Sequence, residues 1–282
     1  MTTRTILLAD RPARSPRRSW PSTALGVLFL AVMIFPVYWM VNSSLQDTSG
    51  AASTTWLPID ISFAGYETAW ADQAPNFVTS LIVALGTVVL TLVIATPAAY
   101  GLARFKLPGM TPFIFVLLIT QMIPTIVIAN ALYTLFNDIG LLNSHLGLIL
   151  ADSAAQIPFA VLLIRAFMTS IPHSLVEAAY VDGATHLRAF VSIVVPISRN
   201  ALVTAGLFTF LGAWGDFLFA LTLTSTPTVR PITLGIYNYL SANVQQWGPV
   251  MATAVLASLP AAVLLILAQR YIAAGALGGA IK

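Results

Sequence analysis

The chain has 282 residues, of which 58% are hydrophobic and only 8% are charged, with a mean hydropathy of +0.87 and a formal net charge of +3. This composition is typical of an integral membrane protein, leaves no room for a soluble domain and suggests no nucleic-acid partner. The absence of cysteine excludes disulfide bonds, thiolate metal sites and cysteine nucleophiles.

Six apolar runs are long enough to cross a bilayer core of about 30 Å, which takes roughly 20 helical residues. The first run has 18 residues, more than the apolar core of a signal peptide, so we interpret it as a span. We expect a basic N-terminal segment at 1–23, a membrane domain at 24–271 and a Gly-rich tail at 272–282. The pattern predicts an all-α membrane protein with six transmembrane helices, at about residues 24–41, 77–100, 113–135, 146–164, 201–223 and 250–268.

Lys and Arg are distributed unevenly between the two sides of this predicted bundle. Of the 13 Lys and Arg residues, every one except Arg230 falls in segments on the side of the N-terminus. The loop between the first two spans carries four acids and no basic residue. Because cytoplasmic loops are enriched in Lys and Arg, we expect both termini to be cytoplasmic.

Amide side chains interrupt the third and fourth predicted spans. Gln121 and Asn130 lie in the third span and Gln156 lies in the fourth. Polar groups inside a bilayer face protein or water rather than lipid. We interpret the three residues as candidates for lining a transport pathway, with hydrogen bonding between helices as the alternative role.

The stretch between the fourth and fifth spans reads "IPHSLVEAAYVDGATHLRAFVSIVVP". Ser174, followed three residues later by Glu177, predicts a capping box at the start of a helix. Gly183 suits the left-handed turn that ends a helix, and a second helix is predicted to begin near Thr185 and to stop at Pro196. The stretch is therefore predicted to form a helix, a tight turn and another helix on the cytoplasmic side.

Leu175, Ala178 and Ala179 are predicted to fall on one face of the first of these helices. Small side chains allow another protein to approach closely. The alternative is an amphipathic connector that rests on the membrane surface. The residues alone leave both interpretations open.

We identify one central intramembrane acid, Asp216 in the fifth span. A carboxylate near the bilayer centre costs about 2.5 to 3.5 kcal/mol on insertion scales, so it is expected to face protein or a wet cavity. Asp216 and the nearby Trp214 are therefore candidates for lining the pathway. Helix packing or gate structure is the alternative for both.

The cytoplasmic stretch contains "EAA", three residues, Gly183, nine residues and "IVVP". This pattern resembles the cytoplasmic EAA loop of bacterial ABC importer permeases, with Val195 where that family has leucine. We call residues 171–196 the EAA segment. The residues that match the family pattern are Glu177, Ala178, Ala179, Gly183, Ile193 and Pro196.

Four further stretches resemble the carbohydrate type of these permeases, the maltose-transporter class. "FVTSLIVALGTVVLTLVIATPAAYGLARFKLPG" is similar to the second span and following loop of that class. "IPHSLVEAAYVDGA", with Asp182 before Gly183, resembles the typical sequence of its EAA loop. "FLGAWGDFLFALTLT" resembles its Trp-Asn-Asp or Trp-Asn-Glu segment, with Gly215 where asparagine is common. "AAGALGGAIK" resembles the Gly-rich tail that reaches between the ATPase subunits. The resemblance covers most of the chain.

The resemblance implies a permease subunit of an ATP-driven sugar importer in the bacterial cytoplasmic (inner) membrane. In such importers the EAA loop forms a coupling helix in a groove of a cytoplasmic ABC ATPase dimer, and closure of that dimer on ATP flips the permease from inward-facing to outward-facing. A second permease subunit completes the pore, and an extracytoplasmic sugar-binding protein delivers the substrate. The implied ATPase-coupling residues are Glu177, Ala178, Ala179, Asp182, Gly183 and Pro196, and the implied ATPase-contacting tail residues are Gly278, Gly279 and Lys282.

The sequence contains no Gly-x4-Gly-Lys-Ser/Thr loop, zinc-binding His motif or Gly-x-Ser-x-Gly elbow. We therefore expect a transport subunit rather than an enzyme, with ATP hydrolysis on a partner chain and no cofactor or metal. Two other classes stay open at this stage. One is an ion-coupled secondary transporter, which commonly has repeated halves and acidic relays, and the other is a non-transporting membrane scaffold subunit.

Overall fold

The computed structural model describes residues 20–46, 55–58, 60–105, 108–242 and 247–278, and the side chains of these residues except 239–242 and 272–278. All regular secondary structure in these ranges is helical, which confirms the predicted all-α class. A π-helical turn (Phe190–Val194) lies between two short helices, His186–Ala189 and Val195–Ile197. The helices are α1 (Trp20–Ser44), α2 (Ala64–Arg104), α3 (Met110–Thr120), α4 (Thr125–Asp138), α5 (His145–Met168), α6 (His173–Val181), α7 (His186–Ala189), α8 (Val195–Ile197), α9 (Arg199–Trp214), α10 (Leu218–Leu223), α11 (Ile232–Ala242) and α12 (Trp247–Gly278).

Four of these helices, α1, α2, α5 and α12, are individually long and apolar enough to cross a membrane. Two bent pairs pass the same test, namely α3 with α4 and residues 186–197 with α9. The described residues therefore contain between four and six candidate spans.

The third predicted span, 113–135, is not one continuous helix. α3 and α4 meet at an angle of 94°, and Pro124 occupies the N-cap of α4 with φ −59° and ψ 130°. Proline lacks an N–H and disfavours helical backbone in the residue before it. Pro124 therefore separates two helices within this predicted span.

The fifth predicted span, 201–223, is also divided, into α9 and α10. The Asp216 carboxylate accepts hydrogen bonds from the backbone N–H groups of Phe219, at 3.3 Å, and Ala220, at 3.0 Å. Such an acceptor satisfies N–H groups that have no partner within the first turn of a helix. Asp216 therefore marks the start of a new helix within this predicted span.

α2 extends well beyond the predicted second span, 77–100. With 41 residues it is about 60 Å long, roughly twice the thickness of the bilayer core. Hydropathy did not detect its first part because that part contains Glu67 and Asp72. A methyl group on Gly65 would lie 3.1 Å from the carbonyl carbon of Gly248, so the backbones of α2 and α12 meet closely there.

The centre of the bundle consists of α2, α5, α9 and α12, and α1 packs against α12 at its edge. Small residues lie at the central contacts: Ala95 and Ala99 of α2, Ala160 of α5 and Ala205 of α9 are fully buried. Such residues allow helices to approach closely in a bilayer, where van der Waals packing drives association. By contrast, α1 leaves most of its large apolar side chains exposed.

Asn143 connects the loop between α4 and α5 to the loop that follows α10. Its backbone has φ 55°, in the left-handed region that asparagine tolerates. Its Oδ1 accepts hydrogen bonds from the backbone N–H groups of Ser225, at 2.6 Å, and Thr226, at 3.1 Å. Its own N–H donates to the carbonyl of Leu223 at 3.0 Å. One residue thus fixes two loops at the end of α5 remote from the EAA segment.

We expect Asn143→Ala to lower the free energy of unfolding by about 1 to 3 kcal/mol, because two backbone N–H groups lose their acceptor and alanine is strained at positive φ. Thermal denaturation of the purified chain in detergent measures this loss. The matched control is Asn143→Asp, which keeps an acceptor oxygen. Its loss in free energy of unfolding should be less than half that of Asn143→Ala. Equal melting temperatures for the native chain and Asn143→Ala would contradict the assignment.

Candidate functional site

The EAA segment begins with α6, whose N-cap is Pro172 with φ −56° and ψ 137°. No side chain caps this helix, and Ser174 lies inside its first turn. The predicted capping box between Ser174 and Glu177 is therefore wrong, because the rigid backbone of Pro172 starts the helix before Ser174. Glu177 is exposed.

The turn after α6 has the predicted geometry. Gly183 has φ +83°, its N–H donates to the carbonyl of Tyr180 at 3.0 Å, and the N–H of Ala184 donates to the carbonyl of Ala179 at 2.9 Å. These two bonds form a Schellman motif, which satisfies the last carbonyls of a helix and favours glycine at the left-handed position. Asp182, at the C-cap, is exposed beside this turn.

The second helix of the segment begins where it was predicted to begin. Thr185 is the N-cap, and its Oγ1 accepts a hydrogen bond from the backbone N–H of Arg188 at 3.3 Å. The helical path then passes through Pro196, and the chain bends by 75° where residues 186–197 meet α9. The helical stretch ends at Ile197, one residue after the predicted stop at Pro196, and the missing N–H of this proline is tolerated because it lies in the first turn of α8.

The inner face of the EAA segment is bound firmly to the helix bundle. Val176 and Ala179 of α6, Ala189 of α7 and Val194 of the π-helical turn are at most 6% exposed and belong to one apolar cluster. This cluster also contains residues from the adjacent ends of α2, α5 and α9. A displacement of α6 would therefore be transmitted to three core helices, since packed interiors resist local deformation.

Aromatic contacts reinforce this attachment. The Tyr180 hydroxyl lies 2.8 Å from His186 Nδ1, and the two rings meet edge to face with centroids 4.8 Å apart. Phe190 packs against Tyr100 of α2 with a centroid distance of 4.9 Å. α6 and α7 are thus fixed to each other, and the segment is fixed to the end of α2.

The outer face of the EAA segment consists of Leu175, Ala178 and Val181 on α6 and Leu187 on α7. Val181 is 87% exposed and Leu187 is 71% exposed. The predicted common face of Leu175, Ala178 and Ala179 is wrong, because Ala179 is 6% exposed and faces the bundle while its neighbour Ala178 faces outwards. Glu177 and Asp182 flank this apolar surface, and exposed apolar surfaces with polar residues at their rim mark sites of contact with other proteins or with membranes.

Two of the predicted pathway residues lie at consecutive contacts of α5. Gln121, at the break between α3 and α4, donates through Nε2 to the carbonyl of Ala155 at 3.4 Å. Gln156 follows directly, and a methyl group on Gly212 of α9 would overlap its amide. The glycine therefore makes room for the Gln156 side chain between α5 and α9.

A buried acid that sequence reasoning missed lies one helical turn from Gln156. Asp152 of α5 is 3% exposed, whereas Asp216 is half-buried at the break between α9 and α10. The expectation of a single central acid is wrong. The sequence did contain a signal for Asp152, because a carboxylate inside an apolar span is energetically unfavourable and usually has a function.

The other predicted pathway residues lie elsewhere. Trp214 is buried, donates through Nε1 to the carbonyl of Ala257 at 3.0 Å and stacks on Phe210 with centroids 5.5 Å apart. These contacts favour helix packing, the alternative role given above for Trp214, over lining of the pathway. Asn130 of α4 is exposed on the surface of this chain.

Of the tail residues, Gly278 is the last residue of α12, and Gly279 and Lys282 lie outside the described residues. No group of three or more His, Asp or Glu side chains suitable for a metal ion occurs in the part of the chain that the structure describes.

Residues 95–277 match the family described as "Binding-protein-dependent transport system inner membrane component". The permease protein DasC of the diacetylchitobiose uptake system of Streptomyces coelicolor is 33% identical, over 94% of this chain and 97% of that protein. The trehalose transport system permease protein SugB of Mycobacterium tuberculosis is 32% identical, over 94% of this chain and 98% of that protein. The melibiose/raffinose/stachyose import permease protein MelC of Bacillus subtilis is 32% identical, over 92% of this chain and 95% of that protein.

Among solved structures, the fold is similar to a chain of a bacterial ABC transporter involved in the import of the acidic polysaccharide alginate. The TM-score is 0.75 at 21% sequence identity, with 89% of this chain and 95% of that chain covered. At this identity the likeness concerns the fold alone.

Proposed function

Because the chain belongs to the family of binding-protein-dependent transport system inner membrane components, we propose that it forms half of the pathway of an ATP-driven sugar importer and is coupled to a separate ATPase through its EAA segment. The chain is a multi-pass protein of the cytoplasmic membrane and a transport permease subunit. The coupling role rests on one observation. The EAA segment packs into the helix bundle with one face and exposes an apolar surface on the opposite face.

The proposed coupling follows from this geometry. An ATPase binds the outer face, with Val181 at its most exposed point and with Glu177 and Asp182 available to basic groups of the ATPase. When the ATPase dimer closes on ATP, it displaces α6. Since the inner face is packed against the ends of α2, α5 and α9, the displacement moves these helices and changes which side of the pathway is open.

The amides of the third span support a pathway shared with a second permease subunit. Gln121 and Asn130 are exposed on this chain although they lie within α3–α4. A polar group facing lipid inside the bilayer is unfavourable, so these residues face either a wet pathway or a partner chain. We assign Asp216 and Gln156 to the same pathway at the contact between α5 and α9, and Trp214 to its support through packing.

The sugar class rests on the relatives, which are named for the uptake of diacetylchitobiose, trehalose or melibiose, raffinose and stachyose. We propose a disaccharide or short oligosaccharide as substrate, delivered by an extracytoplasmic sugar-binding protein. A solved relative of the fold was crystallised as an alginate ABC transporter with a periplasmic protein carrying an alginate pentasaccharide. The relatives give no support to an ion-coupled secondary transporter or a non-transporting scaffold.

The proposed function also includes the orientation of the chain in the membrane and a role for its Gly-rich tail. With both termini cytoplasmic, the EAA segment and the end of α12 lie on the ATPase side, and Arg230 is the basic residue expected outside. We propose that Gly278, Gly279 and Lys282 contact the ATPase subunits, as the resemblance of the tail implies.

Reconstitution tests the proposed function. The complex of this chain with its second permease and ATPase is placed in liposomes, with the sugar-binding protein outside, and uptake of labelled trehalose, diacetylchitobiose and raffinose is measured. We expect uptake of at least one of these sugars that requires both enclosed ATP and the binding protein. Uptake driven by a proton or sodium gradient without ATP would contradict the proposal and favour a secondary transporter.

A further inference from the structure

A basic cavity opens at the end of the bundle that carries the EAA segment, between the start of α9 and the last described turns of α12. It has a volume of about 470 Å³ and is lined by Arg199, Asn200, Val203, Arg270 and Tyr271. Both arginines are exposed, and among the described residues no carboxylate contributes to the lining. The cavity is therefore a positively charged pocket at the boundary of the membrane-spanning region.

Arg270 is held at this pocket by its neighbour. Its Nη2 donates to the Tyr271 hydroxyl at 2.9 Å, and its guanidinium carbon lies 4.8 Å from the centre of the Tyr271 ring. Within the described part of the chain, neither Arg199 nor Arg270 forms an ion pair with a carboxylate. The other polar residues that line the pocket are Asn200 and Tyr271. The pocket thus offers two guanidinium groups to an anion.

An apolar groove of about 240 Å³ adjoins the basic pocket and shares Val203 and Tyr271 with it. The groove runs along α9 from Val203 to Phe210, a distance of about 10 Å. Leu264 and Leu267 of α12 form its opposite wall. Charge is therefore confined to one end of a continuous site, and the remainder is apolar.

We propose that this site binds an anionic phospholipid, with its phosphate between Arg199 and Arg270 and one acyl chain in the apolar groove. Basic pockets between transmembrane helices are suited to anionic headgroups. A free phosphate would leave the groove unexplained.

The position of the site relates it to the EAA segment without depending on the coupling role. Arg199 is the first residue of α9, directly after the 75° bend that follows residues 186–197. The lipid would therefore sit beside the bend that joins the EAA segment to the core. Failure of the sugar-transport proposal would leave the lipid proposal intact, since it rests only on membrane insertion and on these side chains.

Native mass spectrometry of the full chain tests the proposal, after equilibration in detergent with phosphatidylglycerol and phosphatidylcholine of identical acyl chains. We expect the chain to retain phosphatidylglycerol in preference to phosphatidylcholine. The double variant Arg199→Gln/Arg270→Gln should lose this preference by about 25-fold, or roughly fivefold for each arginine. The matched control Arg188→Gln removes an exposed arginine of α7 outside the pocket and should keep the preference.

A second variant tests the groove. Val203 is 39% exposed, so Val203→Trp should fill the groove and lower retention of phosphatidylglycerol while leaving the melting temperature unchanged. Equal retention of the two lipids by the native chain, or equal losses in Arg188→Gln and the double variant, would overturn the proposal. Displacement of the lipid by inorganic phosphate would assign the pocket to a soluble anion instead. Loss of the lipid on assembly of the complete transporter would assign the surface to the second permease.

Discussion

Val181→Asp is expected to release the ATPase from the permease and to abolish ATP-driven sugar uptake. Val181 is 87% exposed in this chain, so the substitution does not affect the folding of the permease itself. In the assembled transporter the proposed docking covers this side chain, and the new carboxylate would be buried without a partner. Such a charge costs about 2 to 5 kcal/mol at an interface, which weakens affinity by about 30-fold or more.

Co-purification with the ATPase in detergent measures this effect, and the melting temperature of the isolated permease confirms that it is folded. The matched control is Val181→Thr, which has nearly the same shape and no charge. It should retain the ATPase within a few fold of the native chain. Undiminished retention by Val181→Asp would show that the outer face of the EAA segment is not the docking surface.

Ala179→Leu is expected to separate ATPase binding from transport. Ala179 is 6% exposed and packs in the apolar cluster that joins α6 to the bundle, so a larger side chain forces α6 away from α2 and α5. Overpacking of this kind costs typically about 1 to 3 kcal/mol. The permease should melt at a lower temperature, and the complex should hydrolyse ATP with little sugar uptake.

The adjacent alanine supplies the control. Ala178 is exposed on the outer face, so Ala178→Leu should leave the melting temperature of the isolated chain unchanged and should alter only the affinity for the ATPase. The two variants add the same atoms at neighbouring positions of one helix. If both changed stability and binding in the same way, the division of α6 into an inner and an outer face would be refuted.

Local signals in the EAA segment predicted the features that depend on one or two residues. Gly183 has the expected left-handed backbone, and Thr185 caps the second helix as expected. The capping box failed because the backbone of Pro172 begins α6 before Ser174. Which alanine of the pair faces outwards depends on how α6 packs on α2, α5 and α9, and a motif contains no information on that packing.

Hydropathy located the apolar runs but not their breaks. Residues 113–135 are predominantly apolar, yet Pro124 divides them into two helices at 94°. Asp216 similarly divides 201–223 by accepting hydrogen bonds from the start of α10. Both breaks lie beside predicted pathway residues, as expected where irregular backbone lines a cavity rather than lipid.

The most direct test of the coupling proposal uses the absence of cysteine from this chain, because any introduced cysteine is then unique. Val181→Cys and Trp56→Cys each place a thiol at a highly exposed position, the former on α6 and the latter before α2 on the side predicted to be external. Each assembled transporter is treated with a short heterobifunctional crosslinker, whose maleimide reacts with the introduced thiol and whose active ester reacts with lysine amines of the ATPase, and is analysed for a covalent product of permease and ATPase. We expect a product with Val181→Cys and none with Trp56→Cys. A transporter carrying Val181→Cys that imports sugar with ATP but gives no such product would contradict the coupling proposal.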